Sequence, residues 1–257
     1  LLARMSLEQK VGQVVQADIA SVTPEDVYKY HLGSVLNGGN SAPGGKQWAP
    51  ANEWLRDADL FYDASMKPHG KLPVIPVTWG SDAVHGHNNV TGATLFPHNI
   101  GLGAMRNPEL MRKIGAATAV EMRATGLDWT FAPTLAVVRD DRWGRTYESY
   151  SENPAVVASY ARPLVEGLQG KIGAKDWLKG PHIVATAKHL SATAAPMAVG
   201  TKGTIFQPRP NCAIFRLLGI ARLWRPVSSR SWPVITAGTV KRCTAISHCS
   251  PTFLKAG

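Results

Sequence analysis

Apolar and polar positions alternate along the first 190 residues in two periods, one helical and one strand-like. Ser6-Leu7-Glu8-Gln9 has the form of a capping box, and Leu7, Val11, Val14 and Val15 then share one helical face. Gly33-Ser34-Val35-Leu36 reads as a short buried strand running into the loop Asn37-Gly38-Gly39-Asn40. Residues 50–66 suit a helix with Trp54, Ala58 and Phe61 on one side. Leu72 to Thr78 is a strand with no polar face before Thr78, and its prolines point to a sheet edge or a barrel rim. Residues 108–125 carry the clearest helical repeat, with Pro108 after Asn107 and with Leu110, Ile114, Ala117 and Met122 in step. Asp128 to Leu135 is strand-like, Pro154 to Leu168 is a helix capped by Asn153, and Ile183 to Ala187 is another buried strand.

Strand, helix, strand, helix in succession implies an α/β protein with a parallel sheet, either open and doubly wound or a (β/α) barrel. Polar residues gather just after the strands. Asp82, His85 and His87 follow the Leu72 run, Arg139, Asp140, Asp141, Arg142 and Arg145 follow the Asp128 run, and Lys188 and His189 close the Ile183 run. Both architectures place the C-terminal ends of their strands on the functional face, so these side chains are the candidate site. No glycine-rich phosphate loop follows a strand, which counts against nucleotide-binding folds.

Composition changes the picture at one place. Of 257 residues 44% are apolar, enough for a core, and no apolar run approaches the ~18 residues that a membrane span needs. The net charge is +10, but it is not evenly spread. Residues 1–190 hold 19 Lys+Arg and 18 Asp+Glu, whereas residues 191–257 hold 9 Lys+Arg, no acid and all three cysteines. A mixed-sign surface is the norm, so two different texts meet near Leu190. Ser191 to Pro196, back-translated and read one base earlier, can spell L-G-D-G-G-T, and Met197 to Gln207 can spell D-G-G-R-D-Q-G-D-N-L-S. We read 191–257 as out-of-frame translation and expect it to be poorly ordered. The opening Leu1 to Ser6 has neither an initiator Met nor an apolar signal core, and reads as a chain already trimmed or begun mid-gene.

Six stretches carry a family resemblance: M-S-L-E-Q-K-V-G-Q at 5–13, G-S-D-A-V-H-G-H-N-N at 80–89, A-T-L-F-P-H-N-I-G-L-G at 93–103, F-A-P-T-L-A-V at 131–137, R-W-G-R-T-Y-E-S-Y-S-E at 142–152 and A-K-H at 187–189. In this order they resemble the N-terminal domain of family 3 glycoside hydrolases, the exo-acting β-glucosidases and glucan glucohydrolases. That family continues after A-K-H-F with G-D-G-G-T and D-Q-G-D, which the shifted tail can spell. The resemblance implies a partial (β/α)8 TIM-type barrel over 1–190, a β-glucoside or β-glucan oligosaccharide as partner, and no cofactor. It also implies a periplasmic or secreted location. Matched by motif, Asp82 would accept hydrogen bonds from sugar hydroxyls while Arg145, Lys188 and His189 donate to others. Glu148 and Tyr147 would hold Arg145 in place. Asp141 stands where the family usually has Pro. The family nucleophile is an Asp in a later G-x-x-x-S-D-W-like segment and its acid/base comes from beyond the barrel. Neither is found in these 257 residues, so no catalytic carboxylate is assigned and hydrolysis by this chain is not expected.

Other readings compete with this one. His85, His87 and His98 contain an H-x-H pair but no third ligand at readable spacing, so rim histidines held by hydrogen bonds are expected rather than a metal. Asp82 could be an ordinary helix cap, and Arg142 with Arg145 a solvated loop pair. The pI near 9.7 suggests nucleic acid, but the excess charge lies in the tail without a binding module, and an amphipathic helix over 214–224 is a weak membrane signal. A sugar-binding remnant without hydrolysis remains the nearest alternative. A barrel needs about 250 residues to close, so an open partial barrel with uncovered edges is expected.

Overall fold

The computed structural model describes residues 1–37 and 41–189. Five parallel strands form one sheet: β1 (Gln16–Asp18), β2 (Ser34–Asn37), β3 (Thr78–Ser81), β4 (Trp129–Thr130) and β5 (Val184–Ala185). Their spatial order is their chain order, with Val35 opposite Trp79, Gly80 opposite Trp129 and Thr130 opposite Ala185. A doubly wound sheet would reverse direction at a switch point; this one winds one way only, as a barrel does. The fold is therefore a partial (β/α)8-like barrel, and the choice left open by periodicity falls to the barrel. The tail 191–257, its cysteines, the 214–224 segment and most of the loop after Asn37 lie outside the described residues.

Six α-helices accompany the strands: α1 (Leu7–Gln13), α2 (Pro24–Tyr30), α3 (Ala51–Ser65), α4 (Asn99–Ala104), α5 (Pro108–Ala124) and α6 (Pro154–Gln169). The long ones start and stop where sequence dictates. Asn107 caps α5 by accepting from the Leu110 amide at 3.0 Å, and Asn153 caps α6 by accepting from Ala155 at 2.9 Å. α3 turns Trp54 and Phe61 inward, where both rings meet Trp79 of β3 at centroid distances of 6.0 and 5.4 Å. α5 and α6 lie against each other through Met111, Ile114, Tyr160 and Leu164, all buried.

α1 departs from expectation. Ser6 does accept from the Gln9 amide at 3.1 Å, but the Gln9 side chain leaves the cap and donates to the Pro73 carbonyl at 2.7 Å. Gln13 Nε2 donates to the His31 carbonyl and the Gly33 amide to the Gly12 carbonyl, both at 3.0 Å. The helix thus docks through its polar side, and Leu7, Val11, Val14 and Val15 are exposed instead of buried. The strands are also shorter than their apolar runs. Residues 72–77 enter the sheet without joining its ladder, although Val77 is buried.

Candidate functional site

Asp82 is the first residue after β3, and no helix begins there, so it is not a cap. Lys188 arrives from β5, its backbone paired with the segment after β4: its amide donates to the Pro133 carbonyl at 2.9 Å and its carbonyl accepts from Leu135 at 3.1 Å. That pairing aims the ammonium at Asp82, and the two form a short ion pair across 106 residues of sequence. The Lys188 side chain is only 16% exposed, so its stem is packed while its charge is met by a partner.

Arg145 comes from the loop after β4. Its guanidinium grips Glu148 through Nε and Nη2, the latter at 2.7 Å from Oε2, and these hydrogen bonds hold its pKa above even the usual guanidinium range. Nη2 also lies 3.1 Å from His189 Nε2. Since guanidinium can only donate, His189 Nε2 accepts and the imidazole proton sits on Nδ1. His189 adopts φ of 64°, a left-handed conformation uncommon outside glycine. Arg145 is thus paired with Glu148. Tyr147 makes no hydrogen bond to Arg145 among the described residues; its ring packs edge-on against His98 with centroids 4.7 Å apart.

A cavity of about 250 Å³ joins these groups. Asp82, Lys188, Arg145 and Glu148 supply its charged lining, and His85, His98 and Tyr147 supply an aromatic one. His189 touches Arg145 without lining the cavity. Asn99, fully buried, donates from Nδ2 to the Glu148 carbonyl at 2.7 Å and so fixes the turn Thr146–Glu148. His98 lines the cavity, as does Asn99, which was legible only as a letter of a matched stretch because neither charge nor periodicity marks it. His87, grouped with the rim, is instead fully buried against Thr125. Arg142 pairs with Asp140 in an exposed loop away from the cavity lining, and that guanidinium pulls the Asp140 carboxyl down to about 2. Among the described residues no three His, Cys, Asp or Glu side chains gather as metal ligands, and no helix is long and apolar enough to cross a membrane.

A singly wound parallel sheet with a polar cavity at the C-terminal ends of its strands defines a barrel of the enzyme type. The sequence profile of the Glycosyl hydrolase family 3 N terminal domain matches residues 6–219, and the chain belongs to that family. It is 33% identical over 204 residues to the lysosomal beta glucosidase of Dictyostelium discoideum, covering 74% of this chain and 25% of that protein. It is 36% identical over 149 residues to a probable exo-1,4-beta-xylosidase of Aspergillus flavus, covering 51% of this chain and 18% of that protein. Among solved structures, the exo-1,3/1,4-beta-glucanase of a Pseudoalteromonas species superposes with a TM-score of 0.71 at 57% identity, over 74% of this chain and 23% of that one. The chain thus spans about a quarter or less of the length of these three proteins.

Proposed function

We propose that the chain carries the sugar-binding part of a glycosidase of the β-glucosidase or exo-β-glucanase type, and that its 257 residues hold a terminal β-D-glucosyl unit without hydrolysing it. The observation that carries this reading is the convergence of Asp82–Lys188 and Arg145–Glu148 on one cavity. Sugar hydroxyls donate and accept, so a pocket that alternates carboxylate acceptors with ammonium and guanidinium donors suits them. Asp82 accepts from ligand hydroxyls, and Lys188 and Arg145 donate, with His189 and Glu148 keeping Arg145 in place. Glucose is favoured over xylose because the 57%-identical solved structure is a β-glucanase, against 36% identity to the xylosidase.

Retaining hydrolysis needs two carboxyl groups about 5–5.5 Å apart, one as nucleophile and one as acid/base. The two carboxylates that line this cavity are each held by a cation, which leaves neither for that work. An aryl β-glucoside incubated with the purified chain should show no release above blank, and clear turnover would overturn the reading. Glucose titrated calorimetrically should bind, and Asp82→Asn or Lys188→Met should weaken it by ~10-fold or more, as charge-assisted hydrogen bonds of ~1.5–3 kcal/mol require. Affinity unchanged in both variants would remove the cavity from the function.

A further inference from the structure

A second cluster of ionisable groups lies at the other ends of the strands, where α2 and α3 lead into β2 and β3. His69 stands on the connection from α3 to β3, and its ring stacks on Tyr28 of α2, with centroids 4.0 Å apart and planes inclined by 18°. His31, the residue that ends α2, meets the same imidazole edge-on at 4.2 Å. Neither imidazole makes a hydrogen bond among the described residues, so ring contacts alone hold them. The loop that carries His69 has little else to fasten it. Among the described residues, 68–72 make one hydrogen bond to another element, from the Tyr28 hydroxyl to the Pro68 carbonyl, and at 3.4 Å it is long. The two histidines also line a cavity of about 10 Å³, room for one water, together with Gln9, Gln13 and Pro73. Gln9 Oε1 is buried without a partner. Both side-chain hydrogen bonds that seat α1 end on residues of this lining: Gln9 on the Pro73 carbonyl and Gln13 on the His31 carbonyl.

We infer that His31 and His69 form an acid-sensitive clasp: neutral, they fasten the loop 68–72 to α2, and charged, they release it and open the seat of α1. Two imidazolium rings 4.2 Å apart repel each other, and neither has a hydrogen-bond acceptor to offset that cost. The Tyr28 ring offers limited relief to a charged His69, because the Lys67 ammonium already stands 5.7 Å from its centroid. Glu25 lies 3.8 Å from Lys67, but both side chains are mostly exposed and the pair is weak. On α1 the acid that faces the cluster is Glu8, and it acts on His31. Burial and the neighbouring His31 hold the His69 pKa below its usual range. Above pH ~6.5 the ring is neutral in clasped and released loops alike, and pH has no effect. Below it the released imidazole takes up a proton that the clasped one resists, so acid favours release. The clasp sits at the N-terminal ends of the strands and does not depend on what the polar cavity binds.

The test is limited proteolysis of the whole chain with trypsin at pH 7.5, 6.5 and 5.5. Within this loop trypsin cuts after Lys71, since Lys67 precedes a proline. A free peptide of residues 64–76 digested alongside removes the protease's own pH dependence. Cuts after Lys113, inside α5, need that helix to unfold and so report opening of the whole fold. In the wild-type chain the Lys71 rate, relative to the peptide, should rise severalfold from pH 7.5 to 5.5 and run ahead of the Lys113 rate. His69→Phe keeps a ring on Tyr28 that cannot charge, and its Lys71 rate should stay near the pH 7.5 value throughout. His31→Phe leaves His69 without a charged neighbour, and its rise should be shallower than in wild type. Thermal melts at pH 7.5 report whether each variant is folded. A wild-type Lys71 rate that is flat with pH would overturn the clasp without any variant. A rise that only keeps step with Lys113, or that is as steep in His69→Phe or His31→Phe as in wild type, would do the same.

Discussion

The His87 imidazole is fully buried, with Nε2 2.9 Å from Thr125 Oγ1. The Thr125 hydroxyl gives its own proton to the Met122 carbonyl at 2.8 Å, so Nε2 must be the protonated nitrogen and Nδ1 the bare one. Nδ1 has no partner among the described residues, and burial pulls the His87 pKa down from 6.5 to about 4. A second proton would therefore bury a charge with no acceptor. The consequence for stability has a definite sign. Above pH ~6.5 the imidazole is neutral in both folded and unfolded chains and contributes no slope. Between pH ~6.5 and ~4 the unfolded chain takes up a proton that the folded chain refuses, so stability falls as pH falls, by about 3 kcal/mol in all. Urea unfolding at pH 7.5, 6, 5 and 4.5 should show this decline. His87→Gln, whose amide can still reach Thr125 but does not titrate, should flatten it; an equally steep decline in that variant would assign it to other groups.

α5 and α6 meet where two glycines let backbone approach backbone. A Cβ on Gly167 would lie 2.1 Å from the Arg112 carbonyl oxygen, and one on Gly115 would lie 2.7 Å from that of Leu164. Backbone atoms cannot swing aside as a side-chain tip can, so Gly167→Ala must push the helices apart. It should cost ~1–3 kcal/mol in chemical unfolding, the usual range for overpacking, whereas Val120→Ala on the exposed side of α5 should cost little. A Gly167→Ala chain as stable as wild type would show that the helix pair adapts freely. These helices were the most legible elements, because 16 or 17 residues give several turns of repeat and Asn107 and Asn153 mark their starts. Two- to four-residue strands offer no such repeat, and the apolar runs around β3, β4 and β5 are longer than the ladders they enter. α1 was misplaced for a different reason. Its apolar face obeys the helical period, yet its partners are the polar Gln9 and Gln13, and periodicity cannot tell which face a neighbour will cover. Asp82 and Lys188 were visible because Asp82 directly follows β3 and Lys188 directly follows the apolar run that holds β5. The place of Tyr147 in the cavity lining was not, since a tyrosine in a loop carries no pattern that separates packing from recognition.

Across the whole molecule the sheet has five strands in line, and among the described residues β1 and β5 each pair on one side only. A barrel abolishes its edges by closing, so among the described residues β1 and β5 stand as edge strands. Just before β1 in sequence, α1 carries an uncovered apolar face, with Leu7 and Val14 at 71% and 70% exposure and Val11 at 55%. An edge strand and an exposed apolar strip each favour association, and here the two lie within twelve residues of sequence, Leu7 to Asp18. The purified chain should therefore self-associate at micromolar concentrations, with a sedimentation coefficient that rises with loading. Val11→Lys together with Val14→Lys places two charges on that strip without touching Gln9, Gly12 or Gln13, which hold α1 in place. The pair of substitutions should lower association while leaving far-UV circular dichroism and sugar affinity as they were, because the cavity lies at the other ends of the strands. A wild-type chain that stays monomeric throughout would mean that the strip and the edge are covered in solution, and the partial barrel would then be a closed unit rather than an open one.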